Sequence, residues 1–223
     1  ERRERAWDCA TGNGQAAREL AGHFNQVIAI DASAQQIQAA KRFPGVEYRV
    51  AAAEASGLDN DSVDLITVAQ AVHWFDLGGF YAEARRVLRP GGVIAVWGYG
   101  RLALPGSLDQ ALERFYAHTV GYYWPPERAL IDDRYRGLPF PFDEIPAPEF
   151  AIEVSWNLPR VMAYLSTWSA VKRYIAAVGT SPLPALQEEL ASLWGAEGSA
   201  PDHRTTNDAV ALAWPLFIRA GCC

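Results

Sequence analysis

The chain has 223 residues, half of them hydrophobic, with a formal charge of −6 at pH 7 and a sequence pI near 5.3. That length can bury one large core, so a single enlarged α/β domain carrying an insertion is expected in preference to two independent domains. The acidic balance argues against a general nucleic-acid binder, and no apolar run approaches the roughly 20 residues that span a bilayer. Cys9, Cys222 and Cys223 show neither zinc nor disulfide spacing, and no cluster of His, Asp and Glu has metal-ligand spacing, so no metal is expected. The charged opening Glu1 to Arg5 is not followed by a signal-peptide core, which with the cysteine usage points to a reducing cytoplasm. The chain starts without methionine just ahead of the first predicted strand, so upstream sequence is expected.

From Trp7 to about Gly98, apolar strand-like runs alternate with helical periods, the signature of βαβ units on a parallel sheet. The predicted strands are Ala6 to Cys9, Val27 to Asp31, Val46 to Val50, Val63 to Val68 and Val93 to Trp97. Between them lie predicted helices Gln15 to Ala21, Ser33 to Lys41 with an N-cap at Asp31 or Ser33, and Gly79 to Leu88, stopped by Arg89-Pro90-Gly91-Gly92. Beyond Gly98 the rhythm changes. Pro, Tyr and Trp become dense between Leu102 and Pro148, with one predicted helix over Leu108 to Tyr116, an aromatic turn at Tyr122 to Pro126 and a loop ending in Pro139-Phe140-Pro141-Phe142. Sheet structure resumes at Phe150 to Trp156, followed by helices Pro159 to Val178 and Leu183 to Leu193, the latter stopping near Gly195. The last strand is expected over Ala209 to Ile218, with Pro215 confining part of it to an edge or a bulge.

The expected architecture is therefore a Rossmann-like, doubly wound, mostly parallel sheet with an antiparallel C-terminal edge strand and an aromatic, helical insertion after the fifth strand. Residues 1–98 would form the cofactor-binding half, 99–148 a lid-like insertion, and 149–223 the completion of the same domain.

Chemistry concentrates first at Trp7-Asp8-Cys9-Ala10-Thr11-Gly12-Asn13-Gly14, a strand running into a glycine turn that opens a helix, with Asp31 at the tip of the next strand. A glycine turn lets a ligand approach bare backbone and an acid at the next strand end suits a ribose diol, so a nucleoside cofactor is implied. Dinucleotide enzymes place G-x-G-x-x-G here. In this chain Gln15, Ala16, Ala17 and Arg18 follow Gly14, so the third glycine is missing, and Asp8 would repel a pyrophosphate while attracting an ammonium. S-adenosylmethionine has the matching cation and aminocarboxyl tail.

These residues resemble motif I of the class I S-adenosylmethionine methyltransferases. The resemblance implies that Asp8, Ala10, Thr11, Gly12 and Gly14 hold the methionine part, that Asp31 binds both ribose hydroxyls with Ala32 against the adenine, and that Ala53 and Glu54 contact adenine. Ala10 stands where glycine is commonest and Ala52 replaces the usual aspartate. Arg89-Pro90-Gly91-Gly92 resembles the structural loop before the fifth strand of these enzymes. Gln70-Ala71-Val72-His73-Trp74-Phe75-Asp76, at the end of the fourth strand, resembles the type 11 branch that includes trans-aconitate methyltransferase-like enzymes.

That loop should face the transferable methyl, because open α/β sheets bind ligands at their strand carboxyl ends. Gln70 and Ala71 are candidates for the cofactor's amino-acid end, and Trp74 and Phe75 for a pocket wall where an aromatic face attracts a sulfonium. His73 is either a base for a hydroxyl, amine or carbon acid, or a loop-stabilising histidine; a carboxylate acceptor needs no base. His73, Trp74, Tyr99, Trp124 and Tyr164 are the candidate acceptor residues, with Tyr116, Tyr122, Tyr123 and Trp168 in the same aromatic set and Arg101, Arg128 and Arg173 as possible carboxylate partners.

The expected activity is O-methylation of a small organic acceptor, at a carboxylate or hydroxyl, by a monomer or homodimer without nucleic-acid or membrane partners. A nicotinamide oxidoreductase and an inactive methyltransferase-like binding protein are the alternatives.

Overall fold

The computed structural model describes residues 2–194 and 205–223, so the helix stop expected near Gly195 lies outside the described residues. Contacts group the chain into two compact units, Glu1–Tyr99 with Asp133–Glu149 and Leu216–Cys223, and Gly100–Asp132 with Phe150–Pro215. This differs from three consecutive segments. The first unit runs to Tyr99 and takes in residues 133–149 and 216–223, while residues 150–215 group with residues 100–132.

The first unit contains β1 (Arg5–Cys9), α1 (Gln15–Leu20), β2 (Gln26–Asp31), α2 (Ala34–Ala39), β3 (Val46–Val50), β4 (Val63–Ala69), α3 (Leu77–Val87) and β5 (Leu88–Tyr99). Strands β3-β2-β1-β4-β5 are adjacent in that order and parallel. Parallel strands covered on both faces read as continuous apolar runs, and Val27 to Ile30 of β2 are all buried. Ala6 and Trp7 point to opposite faces of β1. Ala6 clusters with Ala17 of α1 and with Val27 and Ala29, whereas Trp7 meets the ring of Phe80 of α3 at 6.2 Å between centroids. Helices α1 and α3 thus cover opposite faces, and the fold is Rossmann-like and doubly wound.

Strand β8 (Val210–Cys222) is antiparallel to β5, from Val93 opposite Cys222 to Tyr99 opposite Leu216. It runs past Ile218, and it is not an edge there: β6 (Asp143–Ile145) pairs along its other side. The sequence gives no sign of β6, because Asp-Glu-Ile is short, fully exposed and without alternation.

Arg89 to Gly92 also differ from expectation. They lie within β5 as an irregular stretch, Val63 being opposite Leu88 and Leu65 opposite Val93, with Gly91 in the left-handed region at φ 75°. Arg89 Nη1 donates to Asp64 Oδ1 at 2.6 Å, and Asp64 Oδ2 accepts the N–H groups of Glu4 and Arg5 at 2.8 and 3.0 Å. The motif is therefore a structural clamp on the start of β1.

The second unit contains α4 (Gly106–Arg114), α5 (Arg128–Asp132), β7 (Phe150–Trp156), α6 (Leu158–Leu165), α7 (Ser169–Val178) and α8 (Leu183–Trp194), with β7 paired to β8. The single helix expected over Pro159 to Val178 is two. At the break, Ser166 Oγ donates to the Ala163 carbonyl and Thr167 Oγ1 to the Tyr164 carbonyl, each at 2.7 Å or less, and Trp168 turns to ψ 132°. Adjacent hydroxyls that compete for helix carbonyls open the turn. Asn157 caps α6, accepting the Arg160 N–H at 3.1 Å.

Candidate functional site

The carboxyl ends of β1, β2, β3 and β4 enclose a cavity of about 520 Å³ in the first unit, within the range of roughly 300–1,000 Å³ usual for small-molecule sites. Its wall is made by Ala10 and Gly12 after β1, Ile30, Asp31 and Ala32 at the end of β2, Gln36 of α2, Ala51 to Glu54 after β3, and Ala69, Gln70, Ala71, Trp74 and Phe75 after β4.

The glycine turn is shaped by three consecutive demands. Ala10, Gly12 and Gly14 all have positive φ, at 54°, 57° and 83°. An added Cβ on Gly12 would find nothing nearer than Gln36 Oε1 at 4.0 Å, so the bare Cα opens onto the cavity; one on Gly14 would come within 2.6 Å of Tyr48 Cε1. Gly12 therefore leaves room for a ligand, and Gly14 leaves room for protein.

Asp31 joins this turn to the next strand end. Its Oδ2 accepts the Gly12 N–H at 2.8 Å and its Oδ1 the Ser33 N–H at 2.8 Å. A carboxylate offers about four acceptor positions, so each oxygen keeps one to offer a diol. Ser33 in turn caps α2, its Oγ accepting the Gln36 N–H at 3.3 Å and so fixing the helix that presents Gln36.

Asp8 and Thr11 stand behind the turn rather than on the cavity wall. Asp8 is 1% exposed, and its carboxylate accepts Thr11 Oγ1 at 2.5 Å and Thr67 Oγ1 at 2.8 Å. Burial pushes its carboxyl above the usual carboxylate range, opposed by the two hydroxyl donors. Burial, with the neighbouring Asp8 charge, also pushes the Cys9 thiol well up, which leaves it a packed apolar residue.

On the far wall, Glu54 Oε1 accepts the Asp76 N–H at 3.0 Å, tying the segment after β3 to the start of α3. Ser56, two residues on, is held by Glu83: its N–H and Oγ donate to Glu83 Oε1 at 2.9 and 2.5 Å, and Arg86 closes on the same carboxylate. Gln70 adopts φ 53° and donates from Nε2 to the Tyr99 carbonyl at 3.2 Å, while its buried Oε1 finds no donor among the described residues. Gly98 is required beside it, since an added Cβ would meet that Oε1 at 2.8 Å and Phe217 Cζ at 2.6 Å.

The aromatic candidates separate. Trp74 is 62% exposed and reaches the cavity wall, and Phe75 packs edge-on against Phe80 at 4.9 Å. His73 lies on the turn between them and Ala71, off the wall, with Nδ1 2.7 Å from the Tyr135 hydroxyl. Trp124 and Tyr164 belong to the second unit. There Trp124 packs with Tyr116 and Trp168, and Tyr164 lies in a Trp156–Trp214 cluster with its hydroxyl accepting the Trp214 Nε1–H at 3.0 Å. Gln36 and Ala51 escaped sequence reasoning. Only the register of α2 against β2 brings Gln36 to the wall, and no residue type marks it.

The residues present fit S-adenosylmethionine on three structural grounds. Gly12 leaves a gap that any side chain would fill, Asp31 offers paired acceptors, and Ala32 with Ala51 to Ala53 gives the wall between Asp31 and Glu54 short side chains only. Among the described residues no three His, Cys, Asp or Glu side chains could hold a metal ion, and no helix is long and apolar enough to cross a membrane.

Comparisons with known proteins agree. The family model described as a methyltransferase domain matches residues 7–96. A protein of Dictyostelium discoideum assigned as a methyltransferase is 39% identical over 193 residues, covering 85% of this chain and 73% of its own length. The solved structure of a protein from Anaeromyxobacter dehalogenans, assigned as a type II methyltransferase, superposes with a TM-score of 0.90 at 42% identity, covering 99% of this chain and 90% of that one. A more distant structure from Anabaena variabilis shares the fold, with a TM-score of 0.53 at 18% identity over 96% of this chain and 91% of its own.

Proposed function

The chain belongs to the class I S-adenosylmethionine-dependent methyltransferases, and on that premise we propose that it methylates an oxygen of a small organic acceptor, a carboxylate in preference to a hydroxyl. When bound, S-adenosylmethionine supplies a methyl group on a cationic sulfur. The chain's own residues bind and orient. Asp31 receives the ribose hydroxyls, Gly12 lets the cofactor lie against backbone, and Ala51 to Glu54 form the adenine wall. Trp74 and Phe75 offer aromatic faces that attract a sulfonium and exclude water.

The observation that carries the acceptor reading is the cavity wall, on which, among the described residues, no His, Tyr, Lys or Cys stands to serve as a base. Of the three arginines singled out in the sequence, Arg101 pairs with Asp109 and Glu113, each at 2.9 Å, Arg128 pairs with Asp132 at 3.0 Å, and Arg173 is exposed. Arg128 is mostly buried, lying over Trp124 at 5.0 Å and Tyr116 at 5.5 Å, with Nε bonded to Tyr116 and Asp132. Its Nη2 and the Trp124 Nε1 are buried donors with no acceptor among the described residues. A carboxylate is nucleophilic at neutral pH without a base, which suits that wall. This reading keeps the resemblance of Gln70 to Asp76 to the trans-aconitate methyltransferase-like branch. It also takes the enzyme as cytoplasmic, monomeric or homodimeric, and without nucleic-acid or membrane partners, supported by its acidic charge.

The test is a screen of carboxylic acids, alcohols and amines with methyl-labelled cofactor. Label released by mild alkali, as from a methyl ester, is expected. Alkali-stable label on an alcohol would replace the carboxylate reading with the hydroxyl one.

A further inference from the structure

We infer that Gln36 is a further residue of cofactor recognition, donating its carboxamide N–H to a ribose hydroxyl oxygen while Asp31 accepts the hydroxyl protons. Gln36 and Asp31 border the same bare backbone. The Gly12 N–H bonds Asp31 Oδ2 at 2.8 Å, and a Cβ added to Gly12 would meet nothing nearer than Gln36 Oε1 at 4.0 Å. Both side chains line the cavity.

The chain between them is arranged to present this glutamine. Asp31 Oδ1 accepts the Ser33 N–H at 2.8 Å and Ser33 Oγ accepts the Gln36 N–H at 3.3 Å, so the carboxylate that faces the diol also fixes the start of α2. Helix α2 carries Gln35, Gln36 and Gln38, yet only Gln36 reaches the wall. Successive helical residues are turned by about 100°, which sends Gln35 elsewhere. Gln36 is exposed, and its carboxamide takes part in no hydrogen bond among the described residues.

The direction of the contact follows from counting donors and acceptors. Each ribose hydroxyl has one proton to give and two lone pairs to fill, and an ionised carboxylate only accepts. Asp31 therefore takes protons but fills no lone pair. Between Ile30 and Ala53 the wall holds one side chain that donates, and it is Gln36. On the opposite side Gln70 already gives its Nε2 to the Tyr99 carbonyl. The terminal torsion of a glutamine is soft and roughly twofold, so the Gln36 nitrogen turns to the diol while its oxygen turns to water.

The test is calorimetric titration of the full-length protein with S-adenosylhomocysteine and with its 2′,3′-dideoxy analogue, which lacks the diol. Gln36→Leu keeps the bulk and removes the donor. Its affinity for S-adenosylhomocysteine should fall about three- to tenfold, the worth of one neutral hydrogen bond, while the dideoxy analogue binds as it does to wild type. Gln36→Glu keeps an acceptor and adds a negative charge beside the backbone that Asp31 already borders, so it should lose more than Gln36→Leu. Gln35→Leu is the control and should bind both ligands as wild type does. Gln35 and Gln36 are exposed, so all three variants should melt with the wild type. Wild-type affinity in Gln36→Leu overturns the inference, as does an equal loss on both ligands or the same loss in Gln35→Leu. Undiminished affinity in Gln36→Glu overturns the donor role. No acceptor enters these titrations, so methylation of an alcohol in place of a carboxylate would leave the result standing.

Discussion

Asp31 Oδ2 accepts the N–H of Gly12 at 2.8 Å, so the acid at the end of the second strand helps build the glycine turn after the first as well as facing the cavity. Removing this carboxylate should therefore act twice on the cofactor, through lost ribose contacts and through a loosened turn. Asp31→Ala is expected to weaken S-adenosylhomocysteine binding by about 2–3 kcal/mol, roughly 30- to 150-fold, from two charge-assisted hydrogen bonds. Isothermal titration calorimetry measures this, and an affinity within threefold of wild type would remove Asp31 from the site.

Gly12 and Gly14 share positive φ but should respond differently to alanine. Gly12→Ala puts a methyl into open cavity, so cofactor affinity should fall at least tenfold while stability drops only by the left-handed penalty of about 1–2 kcal/mol. Gly14→Ala adds a collision with the Tyr48 ring to the same penalty and should lower the melting temperature more. Thermal unfolding with and without S-adenosylhomocysteine separates the two, and equal melting shifts would contradict this division of roles.

Ala10 is an alanine in a glycine's conformation, at φ 54°. Ala10→Gly relieves that strain but loosens the unfolded chain, leaving an expected net gain of about 0.5–1 kcal/mol. Urea unfolding reads it directly. A loss of stability would mean that the methyl contributes packing that outweighs the strain.

The sheet was legible because its signals are local: apolar runs, a capped helix at Ser33, a glycine turn and strand-end acids all lie in one stretch of chain. Ala10 could be placed at the turn but not given its φ, since alanine carries no mark of the left-handed region. The α6–α7 break is written in Ser166 and Thr167, yet hydroxyls within a helical period rarely stop a helix, so the apolar pattern dominated. Tyr135 and the Glu83–Ser56 contact depend on partners 62 and 27 residues distant, and Gln36 on helix register, none of which periodicity can report. Asp8 was legible as important, but its burial behind the turn, held by Thr11 and Thr67, emerges only when β1 and β4 are paired.

Glu83 supplies the last expectation, a pH dependence. Donation from Arg86 holds its carboxyl down at about 2 despite the opposing effect of burial, with Ser56 adding to the depression. A carboxylate whose folded pKa lies below its unfolded value near 4.3 contributes stability that is present above about pH 4.3 and is lost as pH falls toward 2. Discounted for the partial exposure of Arg86, the contribution is about 2 kcal/mol at neutral pH. Glu83→Gln should therefore lower unfolding free energy by about that amount at pH 7, and the gap to wild type should narrow as pH falls from 4 toward 2. Because Glu83 anchors Ser56 beside the Ala51 to Glu54 wall, cofactor affinity should weaken in the same variant, severalfold and without change in the Gly12 turn. Chemical denaturation at a series of pH values, paired with calorimetry at pH 7, tests both halves. A stability difference that stays constant from pH 7 to pH 2 would show that Glu83 acts by packing and not by its charge.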